Sequence, residues 1–535
     1  MSRRPVRKAL VALRTPFVVG NAVLLAACAD SVVTPTAPSA VRALPGQRAL
    51  VPARYVVQFD GSVPAELPEG SIAASGGTLV DAVPVAHGLV LENVQNPDAL
   101  RAVRGVVAVE ESPDLLLSPT RPEEDTPNVS FVSDLSALPT NPADTPAAGG
   151  NAAWLQSRVQ WDLARMQVPE SWAVSREGLG AKVCVIDTGL DSDHQELNGQ
   201  LIDSTSFVPN DPSATPDLSK GYSAATLDSN GHGSHVSGTV AGKGIVMAGV
   251  APKAKLLIAK VFAATGGTPT DRVVNSIVWC TDHGADVVTM SLGGIRYKNQ
   301  QSSLNNIAFY QTAVDYAINR GVTVIASAGN DNLQVPNPIQ TAAPGFNRGV
   351  VSVGATGPYS KFPLVRPVPN WDPMDASQVW RNADTRAYYS NYGSDVTVFA
   401  PGGNLGVLLN APFRYVNGVV QGVDIDGIYS VCSGKSGQTG FARNQGGVPA
   451  AAAGNCRGAT DGYISYQGTS MAAPHVAGLA ALLTAEIGGD RSPARRARVI
   501  DCMVRSTDNI GPSSIYGGGR VNALKAIQLL QSGGC

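Results

Sequence analysis

The stretch AKVCVIDTG (residues 181–189) decides how this chain is read. Val183, Cys184, Val185 and Ile186 run without interruption up to a carboxylate at Asp187 and a turn at Thr188-Gly189. A strand with one wet face alternates apolar and polar residues, whereas an unbroken apolar run suits a strand covered on both faces. Runs of the same kind recur downstream: KLLIAKVF (255–262), ADVVTMSL (285–292), VTVIASA (322–328) and VVSVGA (350–355). Helical spacings lie between them, as at Val273, Ile277 and Cys280, or at Ala313, Val314, Ala317 and Ile318. Strands alternating with helices imply an α/β domain with a mainly parallel central sheet and helices on both faces. In such sheets functional groups collect at the carboxyl ends of the strands, and Asp187 stands at one of them.

Working outward, 535 residues imply about three units of ordinary size. An apolar share of 44% excludes a wholly disordered chain. Only 15% of residues are charged and the net charge is −2, so there is no basic stripe for a nucleic-acid partner. No unbroken apolar run reaches the ~18 residues of a membrane-spanning helix. Upstream, RYVVQFD (54–60), GTLVDAV (77–83), HGLVLENV (87–94) and VVAVEE (106–111) read as short strands, with a helix start at Asn96-Pro97-Asp98. They define a small α+β unit. Residues 29–53 and 118–150, rich in Pro, Ala, Thr and Ser or Asp, read as tethers. The stretches 357–387 and 404–462 break the strand–helix rhythm with Pro, Gly, Asn and aromatic residues, and read as surface insertions.

Three motifs carry chemistry. Asp187 ends its strand; His232 sits among glycines and small residues in DSNGHGSHVSGT (228–239); Ser470 opens an Ala-rich helix in GTSMAAPHVAG (468–478), where Pro474 is expected in the first turn. Peptide hydrolysis needs a nucleophile, a base that takes its proton, and a third group that holds the base in the right tautomer. Ser470, His232 and Asp187 supply those types. A helix N-terminus beneath the serine adds unpaired N–H groups that favour a developing oxyanion. The spacing His232-x-x-His235 lacks the glutamate of a zinc protease motif. The competing reading is a catalytically silent binding or scaffold protein that keeps the same framework.

In this order the chain resembles the subtilisin-like serine proteases, or subtilases. The likeness rests on VIDTG (185–189) with His194 and Leu197 behind it, GHGSHVSGTVAG (231–242), GVAP (249–252), SLGG (291–294), SAGN (327–330), GTSMAAPHVAG (468–478) and GGGRVNALKA (517–526). It implies a subtilisin-like catalytic domain at 151–535, a serine-type endopeptidase acting through an acyl-enzyme. By the same resemblance Asn330 is the side-chain oxyanion donor, Ser291, Leu292 and Gly293 pair with the substrate backbone, and Ala328 and Gly329 help wall the first specificity pocket. No acidic residue is visibly placed to demand Lys or Arg there, so an apolar or broad preference is expected.

Residues 54–117 resemble the family's ferredoxin-like prodomain, which inhibits through its carboxyl-terminal tail, here Pro113-Asp114-Leu115-Leu116-Leu117. Self-cleavage is expected near Leu117, with trimming towards Asn151. The implied partners are polypeptide substrates and the chain's own prodomain, and the implied state is a monomer. Catalysis needs no cofactor. The loop GKGIVMA (242–248) is short and lacks the Asn-rich segment of the family's tight calcium site, while Glu196 stands where Asp is frequent. Calcium is therefore not expected at that loop, and the insert 203–217 is the other place that could take it.

The amino end reads as an export signal, 1–28: Arg3, Arg4, Arg7, Lys8 and Arg14 precede an apolar stretch from Pro16 to Ala27. Leu25-Ala26-Ala27-Cys28 resembles a bacterial lipobox, in which Cys28 takes the lipid and becomes the only link to a membrane; ordinary cleavage at Ala27-Cys28-Ala29 is the alternative. Secretion or residence in the cell envelope follows from either. Six cysteines remain. Cys432 with Cys456 and Cys502 with Cys535 are the expected bridges, and Cys184 is either a buried thiol or the partner of Cys280.

Overall fold

The computed structural model describes residues 53–112, 114–116, 160–208, 224–245, 247–263, 267–357, 385–404, 414–416, 419–421, 427–436, 439–442, 454–456 and 462–535. The signal with Cys28, the tether 118–150 and the expected cleavage positions Leu117 and Asn151 lie outside them.

The amino-terminal unit runs β1 (Arg54–Phe59), α1 (Glu69–Ser75), β2 (Thr78–Val83), β3 (Gly88–Glu92), α2 (Asp98–Arg101) and β4 (Val106–Glu111). Its antiparallel sheet has the ferredoxin-like order β2-β3-β1-β4. Alternation along β1 divides the work of the strand: Val57 and Phe59 join Leu89, Leu91, Leu100 and Val109 in the unit's own core, while Val56, with Val90, packs into the core of the larger domain. Helix α1 carries no strong periodic signal and was not expected from the sequence; it ends at Gly76 in the left-handed conformation (φ 71°). Strand β5 (Asp114–Leu116) follows.

In the larger domain two short helices, α3 (Trp161–Arg165) and α4 (Val168–Trp172), lead into β6 (Lys182–Asp187), β7 (Leu201–Ser206), α5 (His232–Ala241), β8 (Lys255–Lys260), β9 (Gly267–Pro269), α6 (Thr270–Asp282), β10 (Val287–Met290), β11 (Gly294–Tyr297) and α7 (Gln301–Asn319). They continue as β12 (Thr323–Ser327), β13 (Gln340–Ala343), β14 (Val351–Gly357), β15 (Thr385–Arg386) and β16 (Val398–Pro401). The main sheet is ordered β15-β14-β12-β10-β6-β8-β7, with β16 also on β14. Every pairing is parallel except β14 with β15. The apolar run of β6 explains itself here. Val183 and Val185 face a core shared with Val236 and Val240 of α5, while Cys184 and Ile186 face one shared with Val273, Ile277 and Cys280 of α6. Cys184 is bonded to Cys280 across that second face, and the pairs Cys432–Cys456 and Cys502–Cys535 are also formed.

The region read as irregular insertion at 404–462 is more ordered than expected. A hairpin, β17 (Arg414–Val416) with β18 (Val419–Gln421), precedes a second antiparallel sheet of β19 (Ile428–Cys432), β20 (Thr439–Ala442), β21 (Gly454–Asn455) and β22 (Gly462–Tyr466), ordered β19-β22-β20-β21. Ile428 and Val431 are buried against α5, and the Ser430 hydroxyl donates to the His235 carbonyl (2.7 Å). These strands are too short, and their partners too distant in sequence, to announce themselves by periodicity. Helix α8 (Thr469–Ile487) is almost wholly buried, and its long apolar composition answers to that core position.

Candidate active site

Asp187 and His232 arrive from different elements and meet. Asp187 is the last residue of β6 and fully buried, and His232 is the first residue of α5; Nδ1 of the imidazole lies 2.8 Å from Oδ1 of the carboxylate. The same oxygen accepts the Thr188 backbone N–H at 2.8 Å. Glycine makes the approach feasible. Gly231 precedes the helix at φ 95°, which side chains resist, and a Cβ on Gly233 would strike the Gly189 carbonyl.

A second carboxylate, unremarked in the sequence, holds these two segments together. Oδ1 of Asp228 accepts from the Thr188 hydroxyl and the Gly231 N–H, each at 2.8 Å. Oδ2 accepts from the Ser234 N–H (2.8 Å) and hydroxyl (2.7 Å). Thr188 Oγ1 in turn accepts the Gly233 N–H, and Ser234 Oγ accepts that of Asp191, both at 2.8 Å. Lys260, fully buried, donates to the carbonyls of Thr188 (2.7 Å) and Leu227 (3.1 Å). The turn after Asp187 and the start of α5 are thus tied by charge-assisted hydrogen bonds, which are the strong ones. Asp228 was legible only as part of the glycine-rich motif; its buried neighbour Lys260, inside the apolar run 255–262, was the available signal.

Electrostatics separate the histidines. Burial alone would lower the pKa of His232, but the Asp187 charge and hydrogen bond, with help from Asp228, raise it above the ordinary 6.5. Burial drops His194 to about 4 and His235 to about 3, so both stay neutral. His194 Nε2 contacts the Gly462 carbonyl (2.8 Å), and His235 stacks on Tyr466. They serve packing. A base must be neutral to accept a proton, so kcat/KM is expected to fall on acidification along a limb lying above pH 6.5. Asp228→Asn removes one of the charges that raise it. The limb should move to lower pH, with a loss of about 10- to 100-fold in rate from the loosened helix start; a pH–rate profile with an unmoved limb would contradict this.

Ser470 is the second residue of α8, which packs beside α5. Its hydroxyl donates to the Ser291 carbonyl (3.2 Å) rather than to His232, so the last link of the relay is open in this state, as is common before substrate binds. Pro474 lies beyond the first turn, contrary to the expectation from sequence. A proline there removes the N–H that would bond the Ser470 carbonyl four residues earlier, and the Ser291 hydroxyl takes that carbonyl instead (2.7 Å). Asn330 is aimed by its neighbour: its Oδ1 accepts the Thr469 N–H (2.9 Å) and hydroxyl (2.8 Å), which leaves the amide nitrogen as the outward donor. Ala328 and Gly329 follow β12 at the same edge, where Gly329 N–H donates to Thr469 Oγ1 (3.3 Å).

The tail's leucines are read from the sequence as fit for an apolar cleft; the strand that the tail pairs with was not foreseen. Strand β5 of the tail pairs antiparallel with β9, Leu115 opposite Thr268, and Leu115 is buried. Ser291, Leu292 and Gly293 lie just before β11, at the same cleft. The amino-terminal unit is anchored nearby by a buried ion pair, Arg54 with Asp271 (2.9 Å), and by Ser112 Oγ donating to Asp271 (3.0 Å).

At the loop after α5 both oxygens of the Glu196 carboxylate are already hydrogen-bonded. Glu196 Oε2 accepts the N–H groups of Gly244 and Ile245 (3.0 Å each), and Oε1 accepts that of Met247 (3.1 Å) and the Tyr463 hydroxyl (3.1 Å). The loop turns amide hydrogens inward, where calcium needs oxygens. Among the described residues no cluster of three or more His, Cys, Asp or Glu is placed to hold a metal.

Comparison with known proteins agrees with this geometry. The sequence profile of the subtilase family matches residues 178–519. The chain is 30% identical over 383 residues to thermitase of Thermoactinomyces vulgaris, covering 71% of this chain and 99% of that one. It is 28% identical over 369 residues to subtilisin Savinase of Lederbergia lenta, covering 68% and 97%. The fold is shared with the epidermin leader peptide processing serine protease of Staphylococcus aureus (TM-score 0.63, 20% identity, 89% of this chain and 98% of that). It is also shared with fervidolysin of Fervidobacterium pennivorans (TM-score 0.59, 23% identity, 89% and 61%).

Proposed function

The chain belongs to the subtilase family and is a serine endopeptidase acting on polypeptides; from that premise we propose that Asp187, His232 and Ser470 are its catalytic residues, with Asn330 and the Ser470 N–H as the oxyanion hole. The observation that carries the assignment is the buried Asp187–His232 pair at the sheet's carboxyl edge, beside a helix N-terminus bearing Ser470 and an Asn330 oriented through Thr469.

In the reaction Ser470 Oγ attacks the scissile carbonyl carbon while His232 Nε2 takes its proton. Asp187 keeps the imidazole in the tautomer whose Nδ1–H points inward and stabilises the imidazolium that forms. The C–O bond that forms pushes charge onto the carbonyl oxygen, towards Asn330 and the Ser470 N–H. Collapse breaks the C–N bond, His232 returns the proton to the leaving amine, and water repeats the cycle on the acyl-enzyme. Rotation about the Ser470 Cα–Cβ bond supplies the missing link to His232. Ser291, Leu292 and Gly293 line the cleft, and the small side chains at Ala328 and Gly329 favour an apolar or broad first pocket.

The zymogen reading extends this. Residues 54–117 act as an intramolecular inhibitor through the β5 strand, cleavage near Leu117 starts maturation, and trimming proceeds towards Asn151. The protein is exported, a setting in which three disulfides persist. A lipid on Cys28 would lie on the prodomain side, so self-cleavage would free the enzyme from its anchor. A map of mature termini by mass spectrometry, with cleavage sites in a peptide library, tests these points together. New termini near 117–151 and apolar or mixed first positions are expected; an intact 110–150 segment in active enzyme would overturn the processing scheme.

The 243–248 loop is expected to hold without calcium. A chelator should leave the unfolding midpoint unchanged, whereas Glu196→Gln should lower it by about 5–10 °C. A chelator-sensitive midpoint that calcium restores in the wild type but not in Glu196→Gln would place the ion at this loop and contradict this assignment.

A further inference from the structure

Beneath the docked tail lies a buried cation for which the described residues supply no counter-ion. Leu115 is 1% exposed, and Gly294 lies under it. A Cβ placed on Gly294 would stand 3.4 Å from Leu115 Cδ2 and 3.1 Å from Arg296 Nη1, so the leucine and the guanidinium border the same point. Arg296 is only 7% exposed. Its Nε donates to Asn306 Oδ1 (2.6 Å) and its Nη1 to the Ile295 carbonyl (3.0 Å). Among the described residues Nη2 has no acceptor, and no carboxylate pairs with the side chain. Tyr310 beside it cannot serve as counter-ion: burial pushes its hydroxyl up to about 12, and it stays neutral. The nearby carboxylate of Asp271 is engaged by Arg54 and Ser112 of the amino-terminal unit.

A guanidinium held in a fixed plane with an unmade bond is suited to a carboxylate. We propose that Arg296 is a specificity-determining residue, which equips the subsite occupied by Leu115 to receive an acidic substrate side chain. The proposal rests on the endopeptidase reading and names part of its substrate preference. Leu115 fills that subsite by shape and leaves the guanidinium bond unmade. The prodomain tail is thus a weaker occupant than an acidic substrate, which favours its displacement once it has been cut.

The processed enzyme would be tested on a peptide library with cleavage read by mass spectrometry. At one position on the amino side of the cut, Asp and Glu should be favoured at least tenfold over Leu. Arg296→Met should abolish that preference, lowering the ratio of Asp and Glu over Leu at that position at least tenfold, and Arg296→Lys should retain part of it. Equal profiles for wild type and Arg296→Met, or Leu favoured at every such position, would overturn the proposal. Failure to cleave any peptide would instead refute the endopeptidase reading on which it depends, and this proposal with it. A measurement that leaves the pocket intact uses the full chain: Leu115→Glu should hold its cleaved tail longer and lengthen the activation lag at least threefold, and a shortened or unchanged lag counts against the subsite.

Discussion

Ser470→Ala is expected to leave the chain uncut between Leu117 and Asn151 and to lower hydrolysis of any peptide by about 10⁴- to 10⁶-fold. The oxygen removed is the one assigned to form the acyl bond, the Thr469 hydroxyl beside it being engaged by Asn330, and its loss leaves the Asp187–His232 pair, the Asn330 amide and the Ser291 contact on the Ser470 carbonyl in place. Folding should be unaffected, because the Ser470 hydroxyl contributes one long hydrogen bond to Ser291 (3.2 Å). The check is gel mobility and mass of the protein made in a host lacking other proteases. Normal processing of the mutant would favour the silent-scaffold reading.

Asn330→Ala is expected to lower kcat by about 10²- to 10³-fold with little change in KM. The reason lies in when the bond is made. As the proposed oxyanion donor, the amide nitrogen would bond an oxygen only as its charge develops, so its loss should fall on the transition state. Thr469 would also lose the acceptor for its N–H and hydroxyl. Thr469→Val separates the two effects: it keeps the donor and the backbone N–H that holds Asn330 Oδ1 but removes the orienting hydroxyl, and should cost less than the alanine change. A steady-state analysis in which KM rises while kcat holds would place Asn330 in ground-state binding instead.

Much of this protein is visible in its sequence because burial on both faces leaves a direct imprint. The runs at 181–187, 255–262, 285–292, 322–328 and 350–355 all contain strands of the main sheet, each shorter than its apolar run by a residue or more at one end or both, except the last, which extends to Gly357. Strand β7 was missed because its side chains are half-exposed and polar, and β16 because four residues are too few to show a period. The sheet of β19 and β22 is invisible for another reason: its paired residues run from Cys432 with Gly462 to Ile428 with Tyr466, far apart in the chain and joined through tracts with no pattern of their own.

At the candidate site, the residues assigned to the chemistry were chosen from type and context. Those that hold it together could not be. Asp228 looks like a turn residue until its four donors are counted, and Lys260 looks like a misplaced charge until the two carbonyls it binds are seen. Strand β9 exists by virtue of its pairing with the tail, which local sequence cannot encode. Pro474 illustrates the same limit. A helix-breaking residue was placed in the first turn by rule, whereas its carbonyl partner is satisfied by Ser291, a residue 179 positions away.

The central claim is that Ser470 is a nucleophile activated by His232. It is tested most directly by treating the enzyme with a fluorophosphonate and locating the adduct by peptide mass spectrometry. A single adduct on Ser470 is predicted, formed in the wild type, lost in Ser470→Ala and slowed at least 100-fold in His232→Ala. An unlabelled wild type, an adduct on another residue, or labelling indifferent to His232 would contradict it.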